Sequence, residues 1–382
     1  MFARGGAAPE VSDRALLQAM LDVEAAHAAA LADAGLIPAK AAGQIAAACD
    51  AATFDIASIG RSTADTATPV PELVRALRTR VGADAEPHVH RGLTSQDVVD
   101  TALMLVARRA LTAVLADLEG AAGACARLAD EHRDTAIAGR TLLQQAMPLT
   151  FGMKAAIWLT GLDSARADLL DVRDRTLAAQ VGGAVGTLAA FGDSGAEVAA
   201  AVAERLGLVH PPLPWHAVRL RPARLACTLA AALGVMGKVA RDVVLLAQTE
   251  VAEVAEPAGE GRGASSAMPH KRNPVGAVAV LACAQRAPGL AATILSSMVQ
   301  EHELAAGAWQ AEWEPLIELL RLTGSAAAAL SELLSGLRVD AGRMRHNLGA
   351  AELHPGASGA LIDRALVAHR ELAIAPAPRR PA

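Results

Sequence analysis

Gly263 to Pro274 reads GASSAMPHKRNP, and it gathers flexible and chemically able residues inside a largely aliphatic chain. Gly259, Gly261 and Gly263 give backbone freedom, while Ser265 and Ser266 bring hydroxyls. His270, Lys271, Arg272 and Asn273 bring cations and donors, and Pro274 stands where a helix can begin. On residue types alone the stretch is either a loop able to close over an anion or a solvated connection between helices, since surface loops are commonly rich in Gly, Ser and charge.

The surrounding chain has 382 residues, 53% hydrophobic and 20% charged, which describes a soluble globular protein with length for two or three domains. Aromatics are only 2% and Tyr is absent. Its interior must be built from Ala, Leu and Val, which suits closely approaching helices, so the expected class is all-α. A net charge of -5 with Arg scattered among Glu and Asp offers no basic face for nucleic acid. The longest uncharged run, Thr176 to Gly192, has 17 residues and four glycines, too short and broken to span a membrane. Met1 to Glu10 lacks a signal-like apolar core, so a cytoplasmic location is expected. Cys49, Cys125, Cys227 and Cys283 are isolated and read as core residues, and no His or Cys group has metal spacing, so neither metal nor cofactor is implied.

From Val11 to Asp50 apolar residues recur near helical spacing and predict a helical hairpin, followed by a short helix over Glu72 to Val81. Ser95 to Arg133 contains no Pro and would extend about 57 Å as one helix, at ~1.5 Å per residue. Leu149 to His210, Ala223 to Glu256, Gly289 to Glu314 and Leu316 to His354 are likewise free of Pro. Helices of this length cannot bury their apolar stripes in a compact monomer, so bundling with other subunits is expected. Arg241 to Pro257 reads as an amphipathic helix that exposes Glu250 and Glu253 on a solvated or interhelical face. His88 to Ala102, HVHRGLTSQDVVDTA, passes from a turn into a helix capped by Thr94 or Ser95, with Asp97 at the positive end of the dipole.

The loop resembles the signature G-S-S-x-M-P-x-K-x-N of the fumarase/aspartase superfamily, with Ala264 in place of the usual Gly. The form SSAMPHKRNP is most similar to the branch containing adenylosuccinate lyases and 3-carboxy-cis,cis-muconate cycloisomerases. That resemblance implies that Ser265 removes a proton beside a carboxylate, and that Lys271 and Asn273 hold the carboxylate. The pattern H-x-G-x-T-S-x-D, carried by His90, Gly92, Thr94, Ser95 and Asp97, resembles a second superfamily motif. It implies that Thr94 and Ser95 hydrogen-bond a substrate carboxylate, with His90 nearby.

Gly139 to Pro148, GRTLLQQAMP, resembles a third motif, with Thr141 and Gln144 as implied substrate contacts. Leu142 occupies its histidine position, and Leu can neither donate nor relay a proton. Gly182, Gly183 and Gly186 form GGxxGT inside sequence that reads as helical; a phosphate loop would need a preceding strand, and the resemblance implies backbone beside the active site instead. Pro214, Trp215 and His216 resemble a cycloisomerase word whose following R-D-R is Arg219, Leu220 and Arg221 here, which removes the expected ion-pairing Asp. GAWQAEW, Gly307 to Trp313, also resembles that branch, its two Trp reading as packing anchors.

Taken over nearly the whole chain, the resemblance implies a long-helix bundle assembling as a homotetramer, with a core of about twenty helices and active sites shared between subunits. The implied divisions are 1–94, an N-terminal helical domain; 95–336, the central bundle with the loop at 259–274; and 337–382, a short C-terminal domain opening near Met344 and Asn347, whose tail from Ala375 is expected to be disordered. The implied activity is a cofactor-independent cycloisomerase acting on a small tricarboxylate, with an amine-eliminating lyase or a non-catalytic scaffold as rivals.

Overall fold

The computed structural model describes residues 3–374 apart from 258, 260–262, 266, 269 and 270. Ser266, His270 and the expected tail from Ala375 to Ala382 therefore lie outside the described residues. Five helices come first: α1 (Ala7–Glu10), α2 (Asp13–Asp33), α3 (Ala39–Ala48), α4 (Ile56–Thr66) and α5 (Val70–Arg78). α2 and α3 make the expected hairpin, and Ser12 caps α2 by accepting from the Ala15 N–H. Pro71 sits in the first turn of α5, where an N–H would have no helical partner anyway.

α6 (Ser95–Glu131) is one unbroken helix of 37 residues, about 56 Å long at ~1.5 Å per residue. Every residue from Gln96 to Ala107 is buried, so its first three turns are enclosed on all sides. An antiparallel hairpin, β1 (Ala136–Thr141) and β2 (Gln144–Thr150), follows at the far end, and α7 (Phe151–Asp171) returns along α6. α8 (Gly195–Leu206) packs on α2. α9 (Leu220–Leu246) then runs toward the hairpin end and leads to β3 (Val254–Ala255). α10 (Val275–Ser296) runs back, α11 (Ala308–Ala311) turns the chain, and α12 (Trp313–Ser335) returns to β4 (Arg338–Val339), which pairs antiparallel with β3. α13 (Ala341–Leu348) packs on β1, and α14 (Ser358–Ile374) packs on α7.

The all-α expectation holds, with α6, α7, α9, α10 and α12 as the bundle. α2 and α10 are also long and apolar enough to cross a membrane by length and composition, which the uncharged-run criterion passed over. Only 28% of the apolar window of α10 is buried, and Val275, Val278 and Leu295 face outward. A largely uncovered apolar helix is what a subunit interface requires.

Three local expectations fail, each for a physical reason. The helix expected over Arg241 to Pro257 stops at Leu246, because the Glu253 side chain is drawn fully inside by an ion pair instead of facing water. GGxxGT is not helical, because the Gly182 and Gly183 N–H groups donate to the Asp97 carboxylate rather than to a preceding turn. Cys125 and Cys283 are buried as expected, but Cys49 is half-buried and Cys227 is exposed on the outward face of α9, beside buried Ala226.

Candidate active site

At the start of α6 the backbone is held in a tight turn: His90 has φ 60° and Gly92 has φ 80°. A Cβ at Gly92 would lie 2.5 Å from the Phe191 ring, so only glycine fits. The Thr94 N–H donates to Asp97 Oδ2 at 3.0 Å, which is the expected cap, yet Asp97 does more than cap. Fully buried, it also accepts from the Gly182 and Gly183 N–H groups, both at 2.9 Å, and pairs with His216 Nε2 at 2.8 Å. The carboxylate is thus the pin joining α6, the glycine turn and the Trp215–His216 corner. Thr94 and Ser95 are half-buried on the rim of this turn.

One turn on, a second carboxylate went unrecognised in the sequence. Asp100 accepts from Arg219 Nη1 at 2.7 Å and Nη2 at 2.9 Å, and from Trp309 Nε1 at 3.0 Å. Arg219 also reaches Glu312 Oε2 at 2.6 Å, and all three charged side chains are 1% exposed. Losing the Asp at position 220 therefore does not remove an ion pair, because Arg219 finds its carboxylates on α6 and beside α12; Leu220 points outward, 46% exposed. Burial raises the pKa of Glu312, against the opposing hydrogen bond and charge of Arg219. Charged residues at i and i+3 within an apolar helical stripe, as Asp97 and Asp100 are, were the available signal. Trp309 and Trp313 stack edge to face at 4.8 Å, so they are packing anchors, and Trp309 additionally orients Asp100.

His90 Nδ1 lies 2.6 Å from Glu24 Oε1, and Glu24 on α2 is 1% exposed. Burial acts to lower the His90 pKa, but the charge and hydrogen bond of Glu24 outweigh it and hold the ring above the usual histidine range. His27, one turn along α2, is pushed the other way by burial.

The third motif forms the β1–β2 hairpin, whose turn residues Leu142 and Leu143 have φ 51° and 64°. Leu142 is 96% exposed and Leu143 74%, and Thr141 and Gln144 flank them as the final strand pair. Arg140 grips Glu253 bidentately at 2.7 and 2.8 Å, and Asn347 donates to the same carboxylate at 3.0 Å. The strands just behind the tip are thereby tied to α13, while the tip projects an apolar pair outward from the subunit.

In the signature loop Gly263 has φ 67°, and an added Cβ would meet Asn273 O at 2.5 Å. The Asn273 N–H and Nδ2 both donate to Gly263 O, at 2.9 and 3.3 Å, closing the loop at its neck. Asn273 thus holds the loop neck through its backbone N–H and one of its two Nδ2 hydrogens. Ser265 Oγ accepts from the Met268 and Ala267 N–H groups at 3.2 and 3.3 Å, and Lys271 is exposed. Two amides aimed at one hydroxyl oxygen stabilise it as an anion.

The structure does not bring the three groups together in one subunit. Loop and hairpin lie at one end of the bundle. The His90, Thr94 and Ser95 turn lies at the other, where Gln96 Nε2 donates to His216 O and Glu312 meets Arg219. α10 spans that separation with 22 residues, about 33 Å at ~1.5 Å each. A site using all three motifs needs more than one chain.

A family model described as lyase matches residues 8–289. The chain is 52% identical over 341 residues to a 3-carboxy-cis,cis-muconate cycloisomerase of Bradyrhizobium diazoefficiens, covering 88% of this chain and 76% of that protein. It is 47% identical over 353 residues to a nitrosuccinate lyase of Streptomyces davaonensis, covering 88% of this chain and 73% of that protein. A crystal structure of 3-carboxy-cis,cis-muconate lactonizing enzyme from Pseudomonas putida matches with TM-score 0.84 at 41% identity, over 95% of this chain and 84% of that one. Signature loop, helix-start turn, hairpin and bundle thus occur together in one chain with these likenesses, and the chain belongs to the fumarase/aspartase superfamily of lyases.

Proposed function

We propose that the protein is a cofactor-independent intramolecular lyase interconverting 3-carboxy-cis,cis-muconate and 4-carboxymuconolactone, a step of protocatechuate breakdown in the cytoplasm. The likeness to cycloisomerases over most of the chain supports this, and the observation that carries it furthest is Leu142 at the hairpin tip. In lactone opening Ser265, as alkoxide, takes the proton alpha to a carboxylate, and Lys271 with loop amides stabilises the electron-rich carboxylate that results. The ring carboxylate then leaves. Its conjugate acid has a pKa of about 4, so departure needs no proton donor, and an apolar residue suffices where an amine-releasing enzyme requires an acid. In the lactone-forming direction the carboxylate attacks as its anion and Ser265 returns a proton to carbon.

A homotetramer suits this chemistry, with the loop and hairpin of some subunits closing on the His90, Thr94 and Ser95 turn of others. Its helices supply 95–336 as the shared bundle, with 1–94 carrying the His90 turn and the segment from 337 holding Glu253, and through it Arg140 of the hairpin, by way of Asn347. Mixing tests this. Ser265→Ala and His90→Gln subunits, unfolded and refolded together and assayed at substrate far below the raised KM of the second, recover parent-like activity at about a quarter of their sites if each site draws the two residues from different chains. No recovery places both groups in one chain.

Nitrite release from a nitrosuccinate is a second reading, favoured by the 47% identical relative and equally compatible with Leu142, because nitrite leaves as a weak base. Purified protein offered carboxymuconate, nitrosuccinate and adenylosuccinate separately is expected to turn over the first fastest and the last least. Faster adenylosuccinate cleavage would mean that another donor replaces the missing acid.

Leu142→His should not raise lactone turnover, since no proton is wanted there. Because Leu142 is 96% exposed within the subunit, Leu142→Ala should change subunit stability by no more than about 0.5 kcal/mol, unlike a core leucine. A loss above about 2 kcal/mol in urea unfolding of the assembled enzyme would show that the tip is packed inside a partner.

A further inference from the structure

Two histidines near the start of α6 lie in opposed environments. His27 is 1% exposed; its Nε2 lies 2.9 Å from Arg91 O, and its Nδ1 is buried with no partner among the described residues. That arrangement fits a neutral ring with its proton on Nε2, donating to the carbonyl that follows His90. His27 also meets Phe191 edge to face at 5.4 Å, and Phe191 covers Gly92. One turn earlier on α2, Glu24 is sealed in the core and directs its carboxylate at His90 Nδ1, 2.6 Å away. His90 itself is 18% exposed in its side chain, and its Nε2 is not among the sealed, unpartnered atoms. A buried carboxylate paired with a partly exposed imidazole fixes the ring's tautomer and leaves a single outward N–H.

We propose that Glu24 is the positioning residue that keeps His90 as an imidazolium, its outward Nε2–H forming a charge-assisted hydrogen bond to one carboxylate of the substrate. The left-handed φ of 60° at His90, which costs a side-chain-bearing residue energy, is held by the two α2 side chains: Glu24 on the ring and His27 on the next carbonyl. The groups facing His90 are Glu24 and His27 from α2, Asp97 from α6 and Arg78 from α5. Glu24 and Asp97 favour the cation and Arg78 opposes it, while burial keeps His27 neutral and removes most of its repulsion. Removing the Glu24 charge leaves burial to dominate, and the His90 ring falls neutral at neutral pH.

This inference rests on the carboxylate-binding reading of the His90 turn, so the test has one arm that requires no turnover. Binding of propane-1,2,3-tricarboxylate to the assembled enzyme is measured calorimetrically from pH 6 to 9, beside KM and kcat for carboxymuconate. In the parent, affinity holds above pH 6.5 and weakens as the pH rises through the raised pKa of His90. Glu24→Gln is expected to move that weakening to lower pH and to raise KM about tenfold between the variant's transition and the parent's, with kcat falling less than threefold. Glu24→Asp should restore part of the parent profile. If Glu24→Gln does not assemble, His90→Gln carries the test by abolishing the pH-dependent part of binding. An unchanged pH profile in either variant overturns the inference, as does a loss in kcat with KM unmoved. Absent lactonisation with the expected binding profiles would sink the cycloisomerase reading and leave this inference standing.

Discussion

Ser265→Ala lowers lactone turnover by roughly 10² to 10⁴, the loss expected when a positioned proton-transfer group is removed. Helicity and assembly stay intact, because among the described residues the Ser265 side chain accepts from the Ala267 and Met268 N–H groups within its own loop. Those two amides explain why a serine can serve there: an alkoxide facing two fixed donors is less costly than one in water. Substrate KM should change less than kcat, since the carboxylate contacts assigned to Thr94, Ser95 and His90 remain. Single-turnover measurements within about threefold of the parent would remove Ser265 from the role. Thr141→Ala and Gln144→Ala, whose side chains are assigned to binding, are expected to raise KM more than they lower kcat.

The largest loss of stability is expected from Arg219→Met. Arg219 pairs with both Asp100 and Glu312, and the substitution leaves two sealed carboxylates without that cation, costing about 3 to 5 kcal/mol. Rescue should depend on pH, with a definite sign. The Glu312 carboxyl is already held above its usual range by burial and loses its main opposing influence when Arg219 is removed. A carboxyl whose folded pKa exceeds the unfolded value contributes stability below the unfolded value, and that contribution is lost as pH rises through the folded one. The variant should therefore be closest to the parent at acid pH and fall furthest behind above neutrality. Urea unfolding at two pH values checks it, and a loss below about 1 kcal/mol at the higher pH contradicts the account. Adding Glu312→Gln should recover much of the deficit, because one buried charge then disappears with the other.

Much of the fold was legible because it follows from local rules. Absence of Tyr, abundance of Ala and a Pro-free run from Ser95 to Arg133 leave the chain little option but long, closely packed helices, and α6 ends within two residues of that run. The signature loop and the turn before α6 were legible as words, since their chemistry is carried by neighbours in sequence. Pairings across the bundle were not. Glu253 looked like a solvated helix residue until Arg140, 113 positions earlier, and Asn347, 94 later, closed on it. Asp97 looked like an ordinary cap, and only folding brings the Gly182 and Gly183 amides and His216 to its carboxylate.

Sequence by itself thus determined the helical class, the long bundle and the residue types of the three motifs, because helix propensity, periodicity and short-range words are local properties. Tertiary structure alone decided which charges are buried in pairs, that Glu24 meets the His90 ring, and that loop and hairpin stand a helix length away from the His90 turn. The reason is that a buried charge is tolerated only where distant segments supply its partner, and no spacing along the chain encodes that meeting.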